Sequence, residues 1–281
     1  MIKDVIKIES GEWAAEICPR LGANVVNLKY NGSDVLAPLN DEAQLEKSLY
    51  LQGAPILMPA NRTYKGRFTF EGKEYVLPIN EPHNDCNLHG SVLKQAFDVV
   101  ETAVDSVTLR LLDTEAKSYP FPFELTVVYS VSENGFLSEF TVKNVGEGNM
   151  PLTFCTHTNF VEPESFRVPL RLCQEKDAHH IPTGRYVPLD AQQQGYVSGS
   201  PSRSLYITGY FLSDGTRAEV GDYYYDVSDN YDHWIFYNGG GGRGFLCVEP
   251  QAGKVDGLNN GGYILVKKGE SVKFSTRISR K

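Results

Sequence analysis

Alternation of apolar and polar residues at a period of two constrains this chain more than any other feature. Phe123, Leu125, Val127, Tyr129 and Val131 share one parity, with mostly polar residues between them. Val107, Leu109 and Leu111 repeat the pattern, as do Phe136, Phe140 and Val142. Near the C-terminus Val272, Phe274 and Ile278 share a face with Thr276. Successive side chains of a strand point to opposite faces, so such runs predict strands with one face on a core and the other toward solvent. Asn31-Gly32, Glu71-Gly72, Asn134-Gly135, Asp214-Gly215 and Lys268-Gly269 separate the runs. Asn and Asp before Gly suit the positive φ of tight hairpins, so several of these read as strand–turn–strand. Helical signal is confined to Asp41–Leu51, where Glu, Ala, Gln, Leu and Lys favour one short helix. The expected fold class is all-β, a large antiparallel β-sandwich with functional loops at its ends or across one concave face.

A length of 281 residues allows two domains at roughly 150 residues each, although all-β units often reach about 250 as one. The 15 prolines and 26 glycines are spread along the chain without a linker-like cluster, and no short repeat is visible. Residues 1–281 are therefore expected to form a single domain. Hydrophobic residues make up 41% and charged residues 22%, enough for a sizeable core and too apolar for disorder. The charge sum is 27 minus 35, or −8, and the densest basic run, Arg62 with Lys65 and Arg67, is short. Nucleic acid is excluded as a partner on this ground. Nowhere do about 18 apolar residues run together, and Met1–Val5 carries no apolar leader, so no membrane span and no signal peptide are expected. The five cysteines (Cys18, Cys86, Cys155, Cys173, Cys247) are dispersed and lack a C-x-x-C pair. Neither a disulfide framework nor a structural zinc site follows from them, and a cytoplasmic protein with reduced thiols is expected.

Common catalytic signatures are absent: the chain has no G-x-S-x-G elbow, no H-E-x-x-H and no P-loop. Gly239–Gly242 lies between two strand-like segments with no helix after it, so it reads as a flexible hairpin and not a phosphate loop. His179-His180 reads as a solvated loop pair, because neighbours on an extended chain point to opposite sides. More informative are polar residues embedded in apolar or Gly/Pro-punctuated segments. Arg62 follows Ile56–Asn61, His89 sits in Asn87-Leu88-His89-Gly90, and His157 ends the apolar run Pro151–Cys155. Asp232 begins an aromatic stretch, and Glu249 closes Gly244–Val248 before Pro250. Taken singly, each is an ordinary core, turn or salt-bridged residue. Glu249 stands apart, because it shares parity with Phe245 and Cys247. If that face is covered, its carboxylate must be paired or carry a raised pKa.

Taken together, these segments resemble the aldose 1-epimerase (galactose mutarotase) family, in the family's order and over nearly the whole chain. Leu21-Gly22-Ala23 through Asn31-Gly32 is similar to its opening hairpin. Asn61-Arg62 followed by Gly66, Phe68, Gly72 and Tyr75 is similar to its arginine segment, and Leu88-His89-Gly90 to its leucine–histidine–glycine motif. His157 with Phe160, Tyr231-Asp232-His233, and Val248-Glu249-Pro250 followed by Leu258-Asn259 are similar to its remaining motifs. The chain departs from the pattern where Thr158-Asn159 follows the second histidine in place of proline. Ser91 follows Gly90, and Phe97 stands where tryptophan is frequent. Its length resembles a shorter bacterial branch.

The resemblance implies a galactose mutarotase-like supersandwich with a sugar cleft on one sheet. It implies Glu249 as general base toward the anomeric hydroxyl and His157 as general acid toward the ring oxygen. His89 would orient the sugar, while Arg62 and Asp232 would hold ring hydroxyls, one as a rigid donor fork and one as an acceptor. Trp234, Tyr231 or Tyr64 would offer a ring for stacking. Anomer interconversion is redox-neutral, so no cofactor and no metal is expected, and the partner is a small sugar bound by a monomer or homodimer. Free galactose or glucose is the default substrate, and the net charge of −8 favours a neutral sugar. Two rivals remain. One is a hexose-6-phosphate epimerase with Lys65 and Arg67 clamping the phosphate; the other is a non-catalytic sugar-binding or regulatory paralogue.

Overall fold

The computed structural model describes residues 2–39, 43 and 48–281. Among them, nine strands form one antiparallel sheet whose centre is the run Ser106–Asp113, Phe123–Ser132, Gly135–Asn144 and Ser271–Arg280. These are the segments with the clearest alternation. Along Phe123–Ser132 buried and half-buried residues alternate without a break until the last position. A second large sheet, also antiparallel, is ordered Pro182–Val187, Leu170–Lys176, Thr208–Ser213, His233–Tyr237, Phe245–Ala252, Phe154–Thr156 and Ile56–Leu57, with Thr158–Val161 pairing beside Phe245–Ala252.

The two sheets face each other across an aromatic core. Phe154 of the second sheet stacks on Phe274 of the first at 4.5 Å between ring centres and meets Phe140 at 5.3 Å. Phe236 meets Phe166, and Trp234 meets Tyr225, across the same interface. Offset and edge-on aromatic pairs of this kind add to the burial term that holds sandwiches together. One contiguous buried cluster draws on residues from Ile8 to Ile278.

The turns divide into two kinds. Asn31-Gly32 and Glu71-Gly72 close hairpins, with both residues of each at positive φ. Asp214-Gly215 instead carries the chain from Thr208–Ser213 in one sheet to Arg217–Val220 in the other. A turn dipeptide specifies a sharp reversal, and the partner strand is chosen by packing. Gly239–Gly242 lies in the connection between the paired strands His233–Tyr237 and Phe245–Ala252. It is held by the Glu162 carboxylate, which accepts from the N–H groups of Gly242 and Gly244 at 3.1 Å each. The helix expected over Asp41–Leu51 lies mostly outside the described residues; its last three, Leu49–Leu51, form a 3-10 turn. Among the described residues no helix is long and apolar enough to cross a membrane, and all five cysteines are free.

Candidate active site

The second sheet is covered on both faces, and its far face carries the site. Tyr210 pairs with Ile235, and Ile235 with Glu249. The pairs Cys155–Gln251 and Thr158–Val248 bracket a gap in the next strand, which sets His157 directly opposite Glu249. Residues directly opposite share a face. Tyr210, Ile235, Glu249 and His157 therefore form one row across four strand positions. Buried Asn159 ties the two strands together. Its amide donates to the carbonyls of His157 (2.8 Å) and Gly53 (2.9 Å), and its oxygen accepts from the Cys247 thiol at 2.8 Å.

Arg62 and His89 arrive from a short ladder in which Arg62–Tyr64 pairs with Cys86–Leu88 and Arg62 faces Leu88. The His89 N–H donates to the Asn61 carbonyl at 2.8 Å. Asn61 (φ 56°) and His89 (φ 65°) are both left-handed, a conformation uncommon outside glycine and often found at functional sites. Gly90 follows at φ 63°, where a Cβ would sit 2.2 Å from the Met58 carbonyl oxygen. Only glycine fits there, which is the local reason for the Leu-His-Gly triplet.

These elements line a cleft of about 340 Å³ that holds Glu249, His157, His89, Arg62, Tyr50 and Tyr210. Glu249 is 2% exposed, and its Oε1 lies 3.2 Å from His157 Nε2. The His89 ring stands edge-on to His157 at 5.3 Å, and Tyr50 packs on both imidazoles. Glu249 Oε2, His157 Nδ1 and His89 Nδ1 have no hydrogen-bond partner among the described residues. Buried polar atoms are normally satisfied, so three orphans in one cleft mark a place built for a polar ligand.

Burial sets the protonation pattern. Loss of solvent pushes the Glu249 carboxyl up to about 8, with Arg62 opposing. The same loss pulls His157 down to about 3. His89 is held well below its ordinary value by burial and then by His157 and Arg62. Burial thus opposes charge on both members of the Glu249–His157 pair and favours the protonated carboxyl beside the neutral imidazole. Arg62 is the opposite case. Its Nε and Nη2 donate to the two oxygens of Glu81 at 2.7 Å each, and Nη1 donates to the Tyr210 hydroxyl at 2.7 Å. Burial lowers the Arg62 pKa, but these bonds outweigh it and keep the group fully charged. Burial likewise raises Glu81, and Arg62 overrides it and holds that carboxyl below its usual range.

Four of the five residues expected at the site, Glu249, His157, His89 and Arg62, line the cleft, and Asp232 does not. Asp232 precedes the strand His233–Tyr237, and its Oδ1 is engaged by His233 Nδ1 and the Gly253 N–H at 2.9 Å each. The aromatic candidates also fall elsewhere. Trp234 has the opposite parity to Ile235 and is buried against Tyr225, Tyr231 is buried against Phe274, and Tyr64 packs near His179. Lys65 lies over the Tyr64 ring and exposed Arg67 pairs with Glu74, so neither reaches the cleft. Of the histidine pair, His179 is exposed while His180, at φ 61°, lines the cleft.

Sequence reasoning missed Glu81, Tyr50, Tyr210 and Lys176, all of which line the cleft. Tyr210 sits two residues from Leu212 and Thr208 on its strand, and no local pattern sets it apart. His157, Cys247 and Glu249 have ligand-type atoms within 4.8 Å of one another. Burial holds the Cys247 thiol well above its ordinary pKa, which opposes the thiolate a soft metal ion requires.

A family model for aldose 1-epimerase matches residues 4–279. The chain belongs to the aldose 1-epimerase family. Galactose mutarotase of Rattus norvegicus is 27% identical over 202 residues, 66% of this chain and 56% of that protein. The Escherichia coli K12 protein YihR is 28% identical over 186 residues, 63% of this chain and 59% of its own length. The chain thus spans less than two thirds of these curated relatives. A galactose mutarotase-like protein of Clostridium acetobutylicum superposes with a TM-score of 0.92 at 22% identity, covering 99% of this chain and 95% of that one. Galactose 1-epimerase of Lactobacillus acidophilus superposes at 0.81 and 16% identity, covering 100% and 96%. Likeness at these identities shows that the family's mostly antiparallel β fold is shared.

Proposed function

We propose that the cleft catalyses interconversion of the α and β anomers of a free aldose, with hexoses such as galactose and glucose as the reference substrates. The observation that carries this reading is the opposed pair Glu249–His157, 3.2 Å apart and buried, a carboxyl and an imidazole placed to exchange a proton. Transfer of that proton from Glu249 to His157 yields a carboxylate base and an imidazolium acid. The positive charge of Arg62, which lowers the Glu249 pKa, favours that arrangement.

The carboxylate then takes the proton of the C1 hydroxyl while the imidazolium gives its proton to the ring oxygen. The C1–O5 bond breaks and the C1 carbonyl forms. Rotation about C1–C2 exposes the other carbonyl face, and O5 closes onto it. His157 recovers the O5 proton and Glu249 returns one to the carbonyl oxygen. Protons balance, and no electron acceptor enters the sum. Each positioned acid or base supplies about 10²–10⁴ in rate. His89, with its free Nδ1, orients the sugar near the ring oxygen. Arg62, already locked by Glu81 and Tyr210, presents a fixed cation.

Polarimetry of freshly dissolved α-D-glucose and α-D-galactose tests the reading. The wild type is expected to speed the approach to equilibrium, and Glu249→Gln to abolish most of that acceleration. A wild type that matches buffer across an aldose panel, or a fully active Glu249→Gln, overturns it. The non-catalytic alternative has less support, since a pure binder needs no proton-sharing pair.

A further inference from the structure

The cleft contains one cation that the proton chemistry does not use. Lys176 ends the strand Leu170–Lys176, which pairs with Thr208–Ser213 and so lies three strands from the strand of Glu249. Its side chain reaches back over the sheet and lines the cleft, with Nζ 4.8 Å from the centre of the Tyr210 ring. Tyr210 stands at the opposite end of the Tyr210–Ile235–Glu249 row from His157, so Lys176 lies toward the end of the cleft away from His157.

The charge balance there is incomplete. Arg62 is neutralised by both oxygens of Glu81. Lys176 forms no ion pair among the described residues; its neighbour Glu175 is taken up by Thr183 and Arg185, and Asp177 accepts from the His179 and Ile181 N–H groups. Burial and the like charge of Arg62 both lower the Lys176 pKa, the signature of an ammonium short of counter-charge. Burial pushes Glu249 toward its uncharged form, which weakens it as a source of counter-charge. His180, which also lines the cleft, adds donor capacity on the same side.

We infer that the preferred sugar carries a single negative charge remote from its anomeric carbon, seated on Lys176, with a free hexuronate as the simplest case. The inference rests on the anomer-exchange reading and narrows its substrate class. A carboxylate suits the site better than a phosphate monoester. The cleft offers one unpaired ammonium, whereas a group carrying close to two charges calls for two or more cations. The net charge of −8 describes the whole surface; a local unpaired cation decides what the cleft takes.

Anomer exchange is measured by magnetisation-transfer NMR for D-glucose, D-glucuronate and D-glucose 6-phosphate, at fixed ionic strength, in the wild type and Lys176→Met. A hydrogen bond to a charged group is worth about ten- to a hundredfold. The wild-type kcat/KM for glucuronate is expected to exceed that for glucose by at least about tenfold, and Lys176→Met to erase most of that ratio. Calorimetric binding of glucuronate and glucose to Glu249→Gln reads the same preference without chemistry. If that variant prefers glucuronate while the wild type exchanges no sugar, the acidic site stands and the mutarotase reading falls. Equal treatment of glucose and glucuronate, or an equal loss on both in Lys176→Met, overturns the inference. A preference for glucose 6-phosphate over glucuronate overturns the assignment of a single charge.

Discussion

Phe123–Ser132 and Phe245–Ala252 are both central antiparallel strands, yet they obey different rules. The first alternates buried and half-buried residues, one face on the core and the other partly solvated. The second is buried at every position but its first, with Leu246, Val248 and Ala252 toward the core and Cys247, Glu249 and Gln251 on the covered far face. A strand buried on one face is an ordinary structural element. A strand buried on both faces that still carries a carboxylate must pay a desolvation penalty, and here it raises the pKa of Glu249. The same contrast recurs inside the cleft. Arg62 and Glu81 satisfy each other completely, whereas Glu249, His157 and His89 each keep a buried polar atom without a protein partner. Stability has been given up at one pair and kept at the other.

The sharpest way to break this comparison is Glu249→Gln. Catalysed anomer exchange is expected to fall about 10³-fold or more, measured by polarimetry or NMR, while the fold survives. The stability sign follows from the raised pKa. Between its ordinary value of 4.5 and about 8, the unfolded chain releases a proton that folded Glu249 keeps. Stability from this group is thus lost as pH rises through that window. Glu249→Gln removes the loss, so its advantage over the wild type should grow from pH 5 to pH 8, to on the order of 4 kcal/mol at the upper end. Denaturant unfolding of both proteins at several pH values checks it; a stability difference that stays flat or shrinks as pH rises would contradict the raised pKa of the buried carboxyl. His157 acts at the other end. Its pKa, lowered from 6.5 to about 3, means that stability is lost as pH falls through that range.

On the ordinary strand the outcome reverses. Leu125→Ala empties a fully buried site and should cost about 2–5 kcal/mol in unfolding free energy, with exchange per folded molecule unchanged. Within the cleft, Glu81→Gln leaves Arg62 without its counter-ion. It is expected to cost about 3 kcal/mol and to raise KM more than it lowers kcat, because Glu81 holds Arg62 and not the reacting atoms. The smallest effect is predicted for Asp232→Asn. Its carboxylate stands outside the cleft, so exchange should change less than about twofold, within the range of surface substitutions. A large kcat loss there would return Asp232 to the site.

Residue order alone carried a good part of this outcome. The alternation at Val107–Leu111, Phe123–Val131 and Phe136–Val142 is local, because a strand's two faces are written in successive residues, and the large sandwich followed from it. Glu249 was legible for the same reason: its parity with Phe245 and Cys247 put a carboxylate on an apolar face. His157, His89 and Arg62 were legible as polar residues set in apolar or glycine-punctuated segments. Which of these would meet was not local. Asp232 has as strong a motif as His157, but it lies outside the cleft, with its Oδ1 held by His233 and the Gly253 N–H. Glu81, Tyr210 and Lys176 carry no motif at all, since their places depend on contacts between segments separated in sequence, by 19 residues for Glu81 and Arg62 and by 148 for Arg62 and Tyr210. Even Asp214-Gly215, a fair hairpin signal, became a passage between sheets once packing chose its partner. Sequence by itself determined many of the strands and turns and marked Glu249 as a carboxylate on an apolar face, because those depend on neighbours along the chain. Only the tertiary structure decided the opposed Glu249–His157 pair, the locked arginine and the unpaired lysine, because desolvation and charge pairing are set by what the fold brings within a few ångströms.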